Sequence, residues 1–253
     1  SRFSTAGFRV YAAARSIAGQ SEALLANGVQ PVSLDVTDEE AVNRAIEEIV
    51  AREGRLDVVV NSAGMGIAGA IEDTSVAEAQ AQFDVNFFGA LRVCRAVLPV
   101  MRRQRAGSIV NIGSIGGLIA IPFQGIYSAS KFALEGLTES LRLEVQPYGI
   151  RVVLVEPGDH ATSFTQNRLA TAASGINPVY RERFTNAVRQ MAHDEQNGPS
   201  PDKVAEVVLR ILRAENLRLR YTVGPLPQRG AVWLKRLFPY ALLERTMRRV
   251  YGC

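Results

Sequence analysis

The chain has 253 residues, of which 47% are hydrophobic and 21% are charged, a composition typical of one soluble globular domain. Two cysteines and two histidines form neither a metal-ligand cluster nor a disulfide framework, so we expect no metal centre and a reducing compartment. The net charge is +4, and from residue 229 onward six basic residues accompany a single acid, so the charge is a local feature and does not indicate nucleic-acid binding.

The sequence shows no segment that predicts a membrane span or a signal peptide. No window is apolar over the length that a bilayer requires, and no apolar signal core opens the chain. We therefore expect a cytoplasmic protein.

Six apolar segments are predicted as strands because their nearly continuous hydrophobic character is typical of a sheet buried on both faces. They cover residues 8–15, 31–36, 56–61, 107–113, 150–157 and 219–224. Helices are predicted between them, over residues 37–53, 76–104 and 127–147. Strands alternating with helices predict an α/β fold with a doubly wound parallel sheet and helices on both faces. Residues 160–200 are predicted as one long irregular stretch.

The first ten residues, "SRFSTAGFRV", are typical of a helix that ends at Gly7 and leads into a strand. In a dinucleotide-binding sheet, the strand before that helix lies at the centre, and the turn after it holds the cofactor pyrophosphate. We therefore expect the natural protein to carry about 20 to 30 additional N-terminal residues, including that strand and a glycine-rich loop.

Five short motifs follow in order along the chain, each at a predicted strand end or in the helix after it. They are "NSAG" (61–64), "VNFFG" (85–89), "NIGS" (111–114), "YSASK" (127–131) and "PGDHAT" (157–162). A lone Tyr and Lys four positions apart is a weak signal, but this ordered set resembles the short-chain dehydrogenase/reductase family. The resemblance covers nearly the whole chain apart from the missing start and the variable segment around 160–200, and it implies a hydride transfer between a nicotinamide cofactor and a carbonyl or alcohol.

The resemblance assigns catalytic roles to four residues. It implies Tyr127 as general acid/base, Lys131 as the cation that lowers the pKa of Tyr127 and binds the nicotinamide ribose, Ser114 as the partner of the substrate oxygen, and Asn86 as the residue that orders a water relay. Positions 127 and 131 lie one helical turn apart, so a cation beside the phenol would favour the phenolate. The alternatives are a surface helix pair for Tyr127 and Lys131, a turn residue for Ser114 and a backbone-bridging role for Asn86.

Arg15 and Ser16 bear on the choice of cofactor. They leave the predicted second strand of a βαβ unit, where an acid would bind the ribose of NAD(H) and an arginine would accommodate the 2′-phosphate of NADP(H). No acidic residue occupies these positions, which favours NADP(H). The alternative to a phosphate-binding role is that Arg15 is simply a solvated arginine. The resemblance adds further cofactor contacts at Asp35, Val36, Asn61, Ala63, Gly64, Pro157, Gly158, His160 and Thr162.

Two of those contacts have alternatives. Asp35 is either a contact to the adenine amine or a cap of the next helix. Asp159 and His160 depart from the family's apolar pattern. The His160 side chain either projects outward while its backbone contacts the nicotinamide amide, or tunes the polarity of the substrate site.

The substrate is predicted to be a hydrophobic carbonyl or alcohol, such as a steroid-like or lipid-like ketone. Residues 160–200 are expected to form a substrate lid, and they offer apolar groups without a phosphate-binding cluster, as does "GLIAIPF" (117–123). The alternatives are a non-catalytic cofactor-binding scaffold or sensor and a sugar-nucleotide epimerase or dehydratase.

The resemblance also implies a homodimer or homotetramer in which helices 76–104 and 127–147 pair across an interface. Five apolar residues of the second helix, namely Phe132, Leu134, Leu137, Leu141 and Leu143, belong either to this interface or to the core of a single chain.

The catalytic domain is predicted to span residues 1–228, and residues 229–253 are a basic amphipathic tail. Two short helices broken at Pro239 would carry an apolar stripe. It comprises Trp233, Leu234, Leu237, Phe238, Leu242, Leu243, Met247 and Val250. Either this stripe packs beside the substrate cleft or a neighbouring subunit, or it rests on an anionic membrane surface and admits lipid-like substrates from there.

Overall fold

The computed structural model describes residues 2–252. The strands are β1 Val10–Ala14, β2 Val29–Ser33, β3 Val58–Asn61, β4 Ile67–Ala68, β5 Gly107–Ile112, β6 Ile150–Pro157, β7 Leu169–Ala170 and β8 Arg220–Val223. The helices are α1 Arg2–Thr5, α2 Ser21–Ala26, α3 Glu39–Glu53, α4 Val76–Phe83, α5 Gly89–Gln104, α6 Gly125–Val145, α7 Phe164–Asn167, α8 Arg181–Gln196, α9 Asp202–Arg213, α10 Leu226–Leu237 and α11 Tyr240–Tyr251.

The strands are parallel throughout, which confirms the predicted fold class. Strands β3, β5, β6 and β8 form one four-stranded sheet in that order, β1 pairs with β2, and β4 pairs with β7. Among residues 2–252, β1 and β3 belong to separate sheets. The additional central strand expected from the sequence stays a prediction.

Helix α3 shows how the sequence sets element boundaries. The Asp38 carboxylate accepts a hydrogen bond from Ala41 N at 2.9 Å, and Glu39 and Glu40 place negative charge in the first turn, where the helix dipole favours it. Gly54 ends the helix with φ 73°, a left-handed conformation that suits glycine.

The predicted helix 76–104 is interrupted. A π-helical turn, Asp84–Phe88, joins α4 to α5, and Asn86 lies within this turn. Because a π turn inserts an extra residue into the helical ladder, it rotates the following side chains, which hydrophobic spacing alone does not predict.

The prediction of one irregular stretch over 160–200 is wrong, because it contains the sixteen-residue helix α8. This helix is strongly polar, and only a narrow face is buried, carrying Phe184, Ala187 and Met191. The three residues are spaced by three and four positions, so the helical signal was present but short.

The core lies on both faces of the sheet. One cluster joins α3, α5 and α6 to β5 and β6 through residues such as Val42, Val97 and Ile109. The other joins α9 to the sheet through residues such as Val153 and Val208. Burial of these aliphatic side chains fixes the strands whose ends carry the motifs.

The apolar residues of α6 divide between the core and the surface. Leu134 and Leu141 are buried within the chain, whereas Phe132 and Leu143 are exposed. The interpretation that all of them belong to the core is therefore wrong for the latter two.

The tail forms two helices that meet at Pro239, as predicted. Its apolar residues do not form one stripe. Leu234, Leu243 and Met247 pack against Ile115 and Ile119. An outer set is exposed, comprising Trp233, Leu237, Phe238, Leu242 and Val250.

Candidate active site

A cleft of about 530 Å³ opens at the carboxyl ends of β3, β5 and β6. Ligands of open parallel sheets bind at this edge, because the loops that leave the strands converge there. Eight of the predicted site residues line the cleft: Gly64, Ser114, Tyr127, Lys131, Pro157, Gly158, His160 and Thr162.

Tyr127 and Ser114 face each other across the cleft wall. Tyr127 lies in the first turn of α6 and is only 8% exposed, and it lines the cleft together with Ser114, whose side chain lowers the pKa of the phenol. Ser114 follows β5, and its Oγ accepts a hydrogen bond from Gly116 N at 3.0 Å, which orients the hydroxyl. The Phe164 ring covers the phenol, with ring centroids 5.7 Å apart. A hydroxyl pair in this shielded setting can bind and protonate a carbonyl oxygen.

Burial is the main influence on the pKa of Tyr127. It raises the pKa of the phenol above its ordinary value, and the Ser114 side chain only partly offsets this. The lowering expected from Lys131 together with a bound nicotinamide cofactor stays a prediction.

Lys131 lies one turn further along α6 and is buried. Its Nζ donates to the Ile112 carbonyl at 2.8 Å, which ties the helix to the end of β5. Burial lowers the pKa of the ammonium to about 8, and the Glu135 carboxylate one turn later opposes this shift.

Asn86 supports the site from behind. Its Oδ1 accepts from Met65 N at 2.9 Å, and its Nδ2 donates to Met65 O at 3.0 Å and to Ser130 Oγ at 3.1 Å. The side chain thus bridges the loop after β3 to α6, as the backbone-bridging alternative predicted. This bridge leaves the proposed role in a water relay untested.

The residues of the cleft fit a nicotinamide cofactor. A Cβ at Gly64 would lie 3.6 Å from Asn86 Oδ1 and 3.8 Å from Lys131 Nζ, so the absence of a side chain keeps the space before the ammonium open. Lys131 offers N–H donors to ribose hydroxyls, and the backbone of Gly158 and the hydroxyl of Thr162 offer polar groups in the same cleft.

The residues predicted for the adenosine half lie outside this cleft. Arg15 and Ser16 are exposed directly after β1. Asp35 Oδ1 accepts hydrogen bonds from Thr37 N at 2.9 Å and from Thr37 Oγ1 at 2.8 Å. These hydrogen bonds hold the pKa of Asp35 below its usual range, and the Arg15 charge makes a smaller contribution in the same direction. Asp35 therefore stabilises a turn, while Asp38 is the helix cap.

Two other predicted contacts, Val36 and Asn61, have structural roles. The Val36 side chain packs into the core and against Gly89, where a Cβ would clash with it. Asn61 Nδ2 donates to Asn111 Oδ1 at 2.8 Å. Neither Asn61 nor Ala63 lines the cleft.

The outward projection considered for His160 is wrong. The side chain is only 6% exposed and lines the cleft, with Nδ1 2.9 Å from Gly158 O. A Cβ at Gly198 would lie 2.7 Å from Asp159 O and 2.9 Å from His160 Cα, so this glycine allows the two backbone segments to approach closely.

Sequence reasoning missed the polar contact that closes one side of the cleft. Asp159 N donates to Gln228 Oε1 at 2.9 Å, and Gln228 Nε2 donates to the Asp159 carboxylate. Burial raises the pKa of Asp159 to about 6, against the lowering effect of this hydrogen bond. Met247 and Tyr251 also line the cleft, which agrees with the interpretation that the tail packs beside it.

A charged cluster lies behind Lys131. Glu135 on α6 accepts from Arg220 Nε at 2.7 Å, Glu156 Oε1 lies 3.4 Å from the same nitrogen, and Glu139 pairs with Arg220 Nη2. Burial raises the pKa of Glu135, while Arg220 lowers it. Within residues 2–252, no group of three or more His, Cys, Asp or Glu side chains could hold a metal ion.

The sheet, the cleft at its carboxyl edge and the Ser, Tyr and Lys side chains together define a doubly wound α/β oxidoreductase with a nicotinamide cofactor. The family model described as short chain dehydrogenase matches residues 1–173. The chain belongs to the short-chain dehydrogenase/reductase family, and its named relatives are oxidoreductases that act on CH–OH groups.

Individual relatives agree with this assignment. The chain is 43% identical to 3-ketodihydrosphingosine reductase of Bacteroides thetaiotaomicron over 88% of this chain and 83% of that protein. It is 35% identical to human 17-beta-hydroxysteroid dehydrogenase type 1, over 85% of this chain and 68% of that protein. A crystal structure of a short-chain dehydrogenase from Streptomyces avermitilis superimposes with a TM-score of 0.81 at 32% identity, covering 97% of this chain and 90% of the other.

Proposed function

We propose that this protein transfers hydride between NADP(H) and a hydrophobic ketone, aldehyde or secondary alcohol, with Tyr127 as the proton donor or acceptor. The observation that carries the proposal is that Ser114, Tyr127 and Lys131 line one cleft at the carboxyl edge of the sheet. When bound, the cofactor supplies or accepts the hydride at the carbonyl carbon.

In the direction of reduction, Ser114 and Tyr127 both bind the carbonyl oxygen. The phenol gives its proton to that oxygen as the carbon gains hydride, so the carbonyl becomes an alcohol. Lys131 holds the ribose and supplies positive charge beside the phenolate that remains. Asn86 fixes Met65 and Ser130, and so keeps the loop after β3 in register with α6.

NADP(H) is preferred over NAD(H) in this proposal because Arg15 and Ser16 follow β1 and no acid stands beside them. The guanidinium would pair with the 2′-phosphate of the adenosine ribose.

The cleft supports a hydrophobic substrate. Its lining is largely aliphatic near Ser114, with Ile115, Ile119 and Ile121, and continues along α9 with Val204 and Val208. The names of the relatives above, which refer to a ketodihydrosphingosine and a hydroxysteroid, agree with a lipid-like carbonyl or alcohol.

We further propose a cytoplasmic location, self-association and peripheral membrane contact. The exposed Phe132 and Leu143 on α6, together with Phe88 before α5, support a homodimer or homotetramer through these helices. No described helix is long and apolar enough to span a bilayer. The exposed Leu226, Trp233 and Leu237 follow one face of α10, and this face supports peripheral contact with an anionic membrane.

A spectrophotometric screen tests the function. Purified protein is given NADPH or NADH with a panel of ketones and aldehydes, and products are identified by mass spectrometry. We expect NADPH-dependent formation of an alcohol from at least one long-chain or cyclic ketone, and failure with the whole panel in both directions would contradict the proposal.

A further inference from the structure

Helix α10 of the tail contacts both loops that carry residues of the cleft, the one after β5 and the one after β6. In the first turn of this helix, Gln228 Oε1 accepts a hydrogen bond from Asp159 N at 2.9 Å. In its last turn, Lys235 Nζ donates to the Leu118 carbonyl oxygen at 2.5 Å. The helix therefore spans the edge of the cleft, with one polar contact near each of its ends.

The Lys235 ammonium has a second partner on α6. Its Nζ lies 4.9 Å from the centroid of the Phe132 ring, within the range of a cation–π interaction. Phe132 directly follows Lys131 in the sequence of α6, and Tyr127 lies one turn earlier. The ammonium thus joins the segment that contains Leu118 to the helix that carries the tyrosine and the lysine of the cleft.

The segment that Lys235 contacts is a short turn that begins at Ser114. Residues Ile115–Gly117 form one turn of 3-10 helix, and Ser114 caps it. Gly117 N donates to the Ser114 carbonyl oxygen at 2.8 Å, and Leu118 N donates to the Ile115 carbonyl oxygen at 2.9 Å. The position of the Ser114 side chain therefore depends on the position of this turn.

Two glycines allow this turn to pack closely against α6. A Cβ at Gly116 would lie 3.2 Å from Tyr127 Cε1, and a Cβ at Gly117 would lie 3.0 Å from Lys131 O. At these distances a side chain on either glycine would push the turn away from the helix. The inner side of the turn is thus set against the tyrosine and the lysine.

The tail covers the outer side of the same turn. Leu234, Leu243 and Met247 pack against Ile115 and Ile119. These contacts are apolar and non-directional, so they press on the turn without fixing its rotation. The hydrogen bond from the Lys235 ammonium is directional, and it fixes the end of the turn relative to α10.

We propose that Lys235 is a positioning residue, which holds the turn after β5 so that the Ser114 hydroxyl stays aligned with the Tyr127 phenol. The inference rests on the proposed hydride transfer, in which both hydroxyls bind the carbonyl oxygen, and it gives the tail a role in that step. A displacement of about 1 Å in a group that positions the substrate can cost about 10²-fold in rate, so a contact outside the reacting centre controls turnover in this way.

Lys235→Met tests this role, because methionine keeps an unbranched apolar side chain and removes the donor. Reduction of cyclododecanone with NADPH is the assay. We expect kcat to fall by about tenfold, while the Kd for NADPH changes by less than about twofold. Lys235→Arg should restore most of the rate, since a guanidinium also donates to a carbonyl and stacks on an aromatic ring. Arg229→Met is the matched control, because it removes the same charge from an exposed residue of α10, and it should keep the parent kcat.

A double-mutant cycle with Ser114→Ala separates positioning from a general loss of packing. If Lys235 acts through Ser114, Lys235→Met should cost less than about twofold in kcat once the hydroxyl is absent, because effects that act through one group are not additive. An equal cost in both backgrounds, or an unchanged kcat in Lys235→Met, would overturn the inference and leave the proposed hydride transfer intact.

Hydrogen exchange separates the two proposals if the parent protein does not reduce the ketone. The amides of Gly117 and Leu118 are bonded within the turn, and they should exchange about tenfold faster in Lys235→Met than in Arg229→Met, because the turn opens more often. Faster exchange would support the contact that holds the turn, even though the missing turnover contradicts the hydride transfer. Equal exchange in the two variants would refute the role of Lys235.

Discussion

Arg220 on β8 joins two carboxylates that come from different elements, Glu135 on α6 and Glu156 on β6. The Glu135 and Glu156 side chains are 8% and 1% exposed, so the guanidinium is the charge partner that balances them inside the protein. This cluster stands directly behind Lys131, whose pKa the Glu135 charge raises against the effect of burial.

Arg220→Met should destabilise the protein by about 3–5 kcal/mol at pH 8, because it leaves buried carboxylates without their cation. Urea unfolding followed by circular dichroism measures this loss. The loss should become smaller as the pH falls, because burial raises the pKa of Glu135 and a proton removes the charge that has lost its cation. Arg248→Met is the control, since it breaks an exposed pair with Glu244 and should cost less than about 1 kcal/mol. Equal losses for the two variants would contradict the importance of the cluster.

Tyr127→Phe should reduce kcat by about 10²- to 10⁴-fold and leave NADPH binding nearly intact, because only the proton-transferring hydroxyl is removed. Steady-state rates and fluorescence titration with NADPH measure the two effects. Tyr148→Phe, a change at a more exposed tyrosine beyond α6, is the control and should be fully active. An active Tyr127→Phe enzyme would exclude the acid/base assignment.

Arg15→Asp should weaken NADPH binding more than NADH binding, because a like charge replaces the partner of the 2′-phosphate. The Kd ratio of the two cofactors should shift by at least about tenfold, the size of one lost charge-assisted contact. Arg44→Asp, an exposed charge reversal on α3, should leave the ratio unchanged. If both cofactors lose the same affinity in Arg15→Asp, the arginine does not select the cofactor.

Asp159→Asn should change the pH dependence of stability. The pKa of Asp159 is about 6 in the folded chain and near 4 when unfolded, so the folded state binds the extra proton between these values. The stability that this proton confers is fully present below about pH 4 and is lost as the pH rises through 6.

The amide variant cannot ionise, so above pH 6 it should be more stable than the parent chain by roughly 2 kcal/mol, a gap that closes towards pH 4. Thermal unfolding between pH 4 and pH 8 measures the gap. A constant difference at all pH values would show that Asp159 is ionised without penalty in the fold.

Replacing Trp233 and Leu237 by serine should abolish flotation of the protein with vesicles that contain phosphatidylglycerol. Both side chains are exposed, at 61% and 71%, on the outer face of α10, and their transfer into the lipid interface would supply the apolar part of the binding energy. The control replaces Ile176 and Val179 by serine. These two residues are also exposed, and they lie far from the tail in the sequence, so flotation should stay intact. Absence of flotation in low salt for the parent protein would reject membrane contact.

The sequence predicts the sheet and the residues that meet in the cleft well, because their signals are local. Apolar runs mark the strands and the five motifs mark the strand ends, and Ser114, Tyr127 and Lys131 all line one cleft. Their catalytic roles stay predictions. The π turn at Asn86 was not predictable from spacing, since a single inserted residue leaves the apolar pattern nearly unchanged.

The remaining features depend on contacts between distant segments. Gln228 meets Asp159 across 69 positions, and no local pattern encodes that pairing. The desolvation that raises the pKa of Tyr127 depends on packing and is not visible in the sequence, whereas the neighbouring charge is. The burial of His160, which excludes the outward direction considered for it, depends on packing in the same way.

The amide of Asn61 bonds Asn111 at 2.8 Å, and Asn111 Nδ2 in turn donates to Thr138 Oγ1 at 2.8 Å, so one chain of side chains runs from β3 through β5 into α6. Segments linked in this way open together when a protein unfolds locally, because no one of them can leave without breaking a buried hydrogen bond. The backbone amides of these three elements should therefore exchange with deuterium as one slow cooperative unit, and Ser114 after β5 and Tyr127 on α6 should lose their alignment in a single step.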